Sequence, residues 1–458
     1  MSNLIVNWWQ GWKFSTALKK GNNIAARRLL KRKQSSGNSL SWLEKLFQDK
    51  LDAQLSLQET REQINALQKE KFELEEKLQY KESKLDFWQN NPQVSPAPIP
   101  GNLLPANPDF IAKVTRTFQI KELDPNLLSC VWIQEKLFNE LEKNLFDYLK
   151  TEFAKFSSQE ELKINLLDTY KQDILYGLKK GKDPQYNSLF TPYVYFMTYF
   201  LEGVYSAYLA WFLVYQAGLL PTKINLLDIG AGSGAMLHGL FYFLRSLDDF
   251  KNAPQNQICY CSLEKQSLLQ HHGWQFWQQY IEPQTTAKFN TYSRFNNIDL
   301  FTYAQEQNQD KQLPKDFFDF IVISHCVFSE RESRIKSHQA YRKIFQQSLK
   351  LDGYALIVVQ GGKLFQTYGK RQTENQLEEE KVIQQFIDDL GLQLVSYKYA
   401  SSTGRRIPNL ELYQFKSIVK QLPAREYISQ LSRKYLNIKY TMHYILDDYI
   451  ILAKKHSN

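Results

Sequence analysis

The stretch Ile224-Asn-Leu-Leu-Asp-Ile-Gly-Ala-Gly-Ser-Gly234, followed by an apolar-periodic run from Ala235 to about Leu247, decides the reading of this 458-residue chain. Leu226, Leu227 and Ile229 suit a strand buried on both faces. Gly230, Gly232 and Gly234 let the backbone turn sharply and approach a ligand with no side chain in the way. Strand, glycine turn and helix in that order predict an α/β nucleotide-type unit. A nicotinamide-binding unit is disfavoured, because GAGSG lacks the last glycine of the G-x-G-x-x-G phosphate pattern and Met236 or a neighbour would have to serve.

The segment LLDIGAGSGA closely resembles the first motif of the class I S-adenosylmethionine-dependent methyltransferases, and the similarity runs from Lys223 to Lys455. It implies a seven-stranded Rossmann-like sheet with S-adenosyl-L-methionine as cofactor. Gly230, Ala231 and Gly232 would then lie on the methionine side, with Asp228 and Gly234 also among the cofactor-binding residues. Gln257 to Leu263 reads as the second strand, closed by Glu264 where the family has an acid for the ribose hydroxyls. A carboxylate suits that task, since it accepts from both hydroxyls at once. Asp248 to Asn256, polar and carrying Pro254, lengthens the interval before Glu264 beyond the family's usual one. Asp299 is the acid expected near the adenine.

Further on, Phe317 to Glu330 matches the family's fourth strand: Asp319 opens it, and Ser324, His325 and Cys326 end it. Ser324 is expected beside the cofactor. His325 is the candidate general base, because an imidazole titrates near neutrality and could take a proton from a hydroxyl or amine as the methyl arrives. The competing reading is that His325 only hydrogen-bonds cofactor or substrate. Cys326 lacks the Pro-Cys or Thr-Cys context of a nucleophile and is read as small and buried. Tyr354 to Gln360 is the fifth strand, Leu392 to Tyr399 the sixth, and Tyr449 to Ala453 the seventh, with Leu410 to Phe415 as its rival. About fifty residues between strands six and seven form an insertion that could cap a substrate.

The acceptor is not written in the sequence, which has no Asn/Asp-Pro-Pro-aromatic tetrad after the fourth strand. A small molecule or carbohydrate hydroxyl ranks ahead of RNA on charge grounds. Fifty-seven Lys plus Arg stand against 48 Asp plus Glu, but eight of the bases and none of the acids lie in residues 1–35, so the rest is nearly neutral. The SHCVFSE and VVQGG segments are also similar to methyltransferase-like assembly factors of the small mitochondrial ribosomal subunit, which carry a cysteine cluster that this chain lacks. A non-catalytic cofactor-binding scaffold is the remaining alternative.

Five regions are expected: a basic amphipathic arm (1–40), a coiled coil (41–89), a proline-rich linker (90–109), a helical region (110–222) and the methyltransferase domain (223–458). In the arm, Trp8, Trp9, Trp12 and Phe14 beside the bases read as a contact for an anionic membrane surface or RNA, or as a targeting segment. In residues 43–87, Leu43, Leu57, Ile64, Leu78 and Leu85 share one heptad position and Leu46, Ala53, Leu67 and Leu74 the other, which predicts a coiled coil that forms a homodimer or tethers the chain to a partner, the competing reading being a single long helix folded back on its own chain. The linker carries six prolines in residues 90–108. Phe190 to Tyr215 holds eleven aromatic residues; Glu202 and the tyrosine hydroxyls argue for a buried helix pair broken near Gly203 rather than a membrane span. Four cysteines without Cys-x-x-Cys spacing favour neither disulfides nor a metal site, so the expected compartment is the reducing cytoplasm, with peripheral membrane attachment through the arm.

Overall fold

A computed structural model describes residues 12–17, 23–35, 44–45, 48, 103–178, 186, 188–251, 256–284, 289–303, 313–373, 375–404 and 412–456. The chain divides into two units, Met1–Glu82 and Ser83–Asn458. Nearly all of the expected coiled coil, and residues 90–102 of the linker, lie outside the described residues.

In the first unit, residues 12–17 are helical and helix α1 spans Asn23–Ser35. Phe14, Ala26 and Leu30 are buried against one another. Lys33 is buried too, 2.8 Å from Glu44. Of the arm's aromatic residues expected at a contact surface, Phe14 instead fills a small core, and Trp12 is the described one that stays exposed.

The second unit is built on a nine-stranded sheet of order β1-β2-β8-β11-β7-β6-β3-β4-β5. Helix α2 (Pro108–Thr117) leads into a hairpin, β1 (Ile120–Asp124) and β2 (Leu127–Cys130). Helix α3 (Glu135–Ala154), the aromatic helix α4 (Leu201–Gln216) and β3 (Lys223–Ile229) follow. Then come α5 (Ala235–Lys251), β4 (Asn256–Glu264), β5 (Phe289–Asn297), β6 (Phe318–Ser324), α6 (Arg331–Ser348) and β7 (Leu349–Gln360). The chain closes with α7 (Gln376–Asp389), β8 (Leu392–Ser401), two short strands β9 (Ala424–Arg425) and β10 (Met442–His443) flanking α8 (Glu426–Leu436), and β11 (Asp447–Lys455). Strands β5, β4, β3, β6 and β7 are parallel, whereas β11 runs antiparallel to both β7 and β8. The last strand is therefore the Asp447–Lys455 segment; Leu412–Val419 is helical.

Three expectations need correction. The sheet has nine strands rather than seven, because the region expected to be helical contains the β1–β2 hairpin. That hairpin covers an edge that β8 would otherwise leave open: Leu127–Ser129 pair in parallel with Tyr399–Ser401, and Glu122 meets Lys398 at 2.9 Å. The linker ends earlier than residue 109, since the Leu104 amide donates to Leu220 O at 2.8 Å and the Tyr215 hydroxyl donates to Pro105 O at 2.9 Å. Nor is the aromatic stretch broken near Gly203. Helical residues Thr191–Tyr195 pass through a π-turn at Phe196–Phe200 directly into α4.

The aromatic helix lies on one face of the sheet and is buried there with α5. Its polar tips are satisfied: Trp211 Nε1 donates to Met236 O at 3.1 Å, and the Tyr205 hydroxyl donates to Trp132 O at 3.1 Å. No described helix is long and apolar enough to cross a membrane. The insertion between β8 and β11 packs on the helical layer, with the Ile428 amide donating to Glu142 Oε1 at 2.9 Å and Arg425 meeting Glu202 at 2.9 Å.

The α4–α5 contact depends on Gly239, where a Cβ would lie 2.4 Å from Ala207 Cβ and 2.8 Å from the Tyr208 amide. Gly239→Ala is expected to force the helices apart and to cost about 1–3 kcal/mol, the usual range for overpacking. A thermal melt of the variant should show the loss, and an unchanged midpoint would contradict this contact.

Candidate functional site

Strand β3 delivers Asp228 and Ile229 to the end of the sheet where β4, β5 and β6 also finish, with Ile229 opposite Leu263 and Ile323, and Glu264 opposite Asn297. The chain then turns through three left-handed residues, Gly230 (φ 66), Gly232 (φ 55) and Gly234 (φ 79). The turn is held to β4 by the Gly230 amide, which donates to Leu263 O at 2.8 Å, and more loosely by that of Ala231 at 3.4 Å. On the β6 side contact is closer still: a Cβ on Gly230 would sit 2.5 Å from Cys326 Sγ. Over Gly232 there is open space, with nothing within 4 Å of the corresponding position. The turn closes where the Gly234 amide donates to Ala231 O at 2.8 Å, and α5 begins.

Glu264 spans this turn and the next. Its Oε2 accepts from the Gly232 amide at 2.8 Å and its Oε1 from the Gln266 amide at 2.7 Å. Burial raises its pKa above the ordinary carboxylate value, against the opposing pull of those amides. Asp228 is buried beneath the turn: its Oδ2 accepts from the Tyr260 hydroxyl at 2.9 Å, while Oδ1 has no hydrogen-bond partner among the described residues. Burial pushes its pKa up to about 7, Tyr260 opposing and Glu264 adding to the rise. Asp299 follows β5, where its Oδ1 accepts from the Phe301 amide at 2.9 Å and its Oδ2 lies 2.9 Å from Lys265 Nζ.

At the end of β6, half-buried Ser324 still pairs with Val358 of β7. His325 then turns left-handed (φ 53), its amide donating to Val358 O at 2.8 Å. Its ring is exposed, with Nε2 3.6 Å from Asp448 Oδ2. The Tyr341 hydroxyl donates to Cys326 O at 2.6 Å, which fixes the following residue. Every site residue expected from the sequence thus lies at the same ends of β3, β4, β5 and β6.

Sequence reasoning missed the wall facing them. Along the mostly buried helical run from Thr191 to Gln216, Tyr195, Tyr199, Glu202 and Gly203 are half-buried, at the spacing of a single helical stripe. The rings of Tyr195 and Tyr199 are 5.7 Å apart. The Tyr195 hydroxyl is pushed up by burial first and then by Glu264, Cys326 and Asp228, so it sits in the field of the turn's own groups. The available signal was the i, i+4, i+7 spacing of Tyr, Tyr and Glu inside an apolar run.

No family model matches the chain, and no curated protein does so. Solved structures do. One is a methyltransferase of Bacillus halodurans, 12% identical, covering 54% of this chain and 98% of its own at a TM-score of 0.29. Another is an S-adenosyl-L-methionine-dependent methyltransferase of Methanococcus maripaludis, 14% identical, covering 58% and 91% at 0.26. A third is the plantazolicin methyltransferase, solved with S-adenosylhomocysteine, 13% identical, covering 65% and 97% at 0.28. With likenesses of this size the fold rests on the strand order itself: β5-β4-β3-β6-β7 parallel, followed by antiparallel β11 and then β8. The chain has the fold of the Rossmann-like methyltransferases. The β1–β2 hairpin is an addition at the β8 edge of that sheet.

Two outcomes test the geometry of the turn. Gly232→Ala should cost only the left-handed backbone penalty of about 1–2 kcal/mol, whereas Gly230→Ala adds the collision with Cys326, so thermal midpoints should fall in the order wild type, Gly232→Ala, Gly230→Ala. Asp228 gives a pH signature. Its folded pKa is raised, so near neutrality and below it the folded state binds the proton more tightly than the unfolded chain does. The resulting penalty is absent below about pH 4, the ordinary carboxylate value, and complete above about 7. Asp228→Asn, which can still accept from Tyr260, should gain stability relative to wild type as pH rises through that window; a gap that is constant with pH would show that Asp228 is not buried as described.

Proposed function

We propose that this protein binds S-adenosyl-L-methionine at the β3 turn and transfers its methyl group to an oxygen or nitrogen of a small acceptor. The observation that carries the reading is the pairing of Glu264 with the Gly232 amide above a buried Asp228 whose Oδ1 awaits a donor. This donor set fits the cofactor. Asp228 Oδ1 and the Gly230–Gly234 backbone suit its amino-acid end, and the open space over Gly232 admits it without a clash. Glu264 retains lone pairs for the ribose hydroxyls, and Asp299, two residues beyond the end of β5, would lie toward the adenine. When bound, the cofactor supplies a methyl group on a positively charged sulfur, which keeps the C–S bonding pair as the acceptor's lone pair forms the new bond. His325, exposed at the end of β6, would take the acceptor's proton.

Tyr195 and Tyr199 support a small acceptor with an apolar or aromatic body, because two half-buried rings offer area for packing and little charge. RNA is the second reading. What favours it is α1, which exposes Arg28, Lys31 and Arg32 within five residues and would bind an anionic polymer or an anionic lipid surface in a salt-dependent way. Residues 43–87 are proposed to join two copies of the chain through their heptads.

Calorimetry on the full chain tests the cofactor. S-adenosyl-L-methionine and S-adenosylhomocysteine should both bind, and Glu264→Ala should weaken binding by about 1.5–3 kcal/mol, the loss of hydrogen bonds to a charged group. No heat with either ligand at millimolar concentration would sink the proposal. Transfer of labelled methyl into fractions of a lysate then separates an enzyme from a cofactor-binding scaffold.

A further inference from the structure

We propose that Asp448, held by Ser206, fixes the His325 imidazole with its proton on Nε2, so that Nδ1 is the free nitrogen turned to the acceptor. The assignment of Nδ1 as the base rests on the methyl-transfer reading above, whereas the orientation of the ring does not. Three elements far apart in the chain converge to make this arrangement. β6 ends at Ser324, and the left-handed turn at His325 carries its ring across the end of β7 toward β11. There Asp448, second residue of β11, stands opposite Gln360 of β7 and Ala400 of β8. From the layer above, the Ser206 hydroxyl of α4 donates to Asp448 Oδ2 at 2.8 Å.

Each part has a physical reason. A non-glycine residue in the left-handed region costs of order 1–3 kcal/mol and persists where the surroundings over-determine it, often at functional sites. His325 pays that cost although its backbone needs no ligand; what the turn gains is the placement of the ring. Asp448 is nearly buried, with a side chain 10% exposed, while the His325 side chain is 35% exposed. One partner is thus fixed and the other reaches the open end of the sheet. A buried carboxylate needs donors, and Ser206 supplies one to the oxygen that faces the ring, fixing its direction. The 3.6 Å separation lies within ion-pair range and is longer than a hydrogen bond. Catalytic hydrogen bonds are commonly long before ligand binds.

Other groups near the ring do not compete for it. Cys326, next in the chain, receives the Tyr341 hydroxyl from α6. Gln360 on β7 is neutral, as is Ser206 on α4. Glu202, one turn before Ser206 on α4, is paired with Arg425. Glu264 and Asp228 at the ends of β4 and β3 are bound to Gly232 and Tyr260. Among the described residues, Asp448 is the carboxylate at ion-pair distance from His325. Asp448 is therefore a positioning residue: it acts through His325 and sets which nitrogen is left with a lone pair.

Proton–nitrogen correlation spectra of the full chain made with isotope-labelled histidine read the tautomer directly, without cofactor or acceptor. The chain has seven histidines, and His325→Gln identifies the signal. In wild type, above the pH where the ring is charged, the proton is expected on Nε2. In Asp448→Asn, where Ser206 keeps an acceptor but no carboxylate faces the ring, the two tautomers are expected to mix. A wild-type proton on Nδ1, or an Asp448→Asn spectrum identical to wild type, would overturn the proposal. The wild-type spectrum decides its first half even if the variant fails to fold. Because no ligand is present, failure of cofactor binding in the calorimetry leaves this result standing, and failure here leaves the cofactor site standing.

Discussion

The close approach of the β3–α5 turn to its two neighbours is the constraint on which the open end of the sheet depends. Gly230 donates to Leu263 on one side and leaves room for the Cys326 sulfur on the other. Any side chain there would push β6 away from β3 and move His325 with it. The same turn aims the Gly232 amide at Glu264, so a backbone conformation open mainly to glycine sets the position of an acid thirty-two residues later. The lower anchors of the strands work to the same end. Asp319 at the start of β6 accepts from the Asn225 amide of β3 at 2.8 Å and meets Lys350 of β7 at 2.6 Å, which ties the start of β6 to both of its neighbours.

The aromatic helix supplies the second layer and explains why a run that could be mistaken for a membrane span belongs in a protein core. Aromatic side chains bury large areas, and the polar ends of Tyr and Trp need partners when they do so. Here those partners come from segments distant in sequence: Tyr205 reaches Cys130 O and Trp132 O, Tyr215 joins Pro105 and Asn107, and Ser206 meets Asp448 across 242 residues. The helix thus ties the hairpin, the linker end and the last strand to one face of the sheet. The stripe left half-buried on it faces the turn rather than solvent at large, which is how a packing element becomes a wall of the site.

What could be read from the sequence was what is local in it. The strand, the glycines and the helix after them are contiguous, and β3, β6, β7 and β11 contain short apolar runs, so the fold and the residues at its open end were legible, whereas β5, Phe289–Asn297, is mostly polar and was not assigned. β11 was legible because Tyr449 to Ala453 is apolar throughout, whereas Leu412 to Val419 has the spacing of a helix. The β1–β2 hairpin was not, because Ile120–Asp124 is a mostly exposed strand that pairs only with β2, which in turn pairs with β8, and it carries no hydrophobic alternation of its own. The continuity of the aromatic helix through Phe196–Phe200 was hidden as well: Gly203 looks like a break, but it serves the approach of Ala235, whose Cβ lies 3.1 Å from where a Gly203 Cβ would be. Asp448 and Ser206 were invisible for a simpler reason. Nothing in the sequence says that residues so far apart converge on His325.

Asp228 shows how the site and the stability of the fold are opposed. A buried carboxyl with one oxygen unpartnered is costly, and the protein meets that cost partly by holding the proton, since burial raises the pKa to about 7. A neutral carboxylic acid is tolerated in the core; an ionised one is not, unless a donor reaches Oδ1. A cationic ligand group arriving there would favour the ionised form by the same physics that makes it expensive without the ligand. The turn above it is built from glycines and leaves the approach open. A buried carboxyl with an unpartnered oxygen therefore sits where a positively charged ligand would relieve it, so that the cost Asp228 imposes on folding would favour binding.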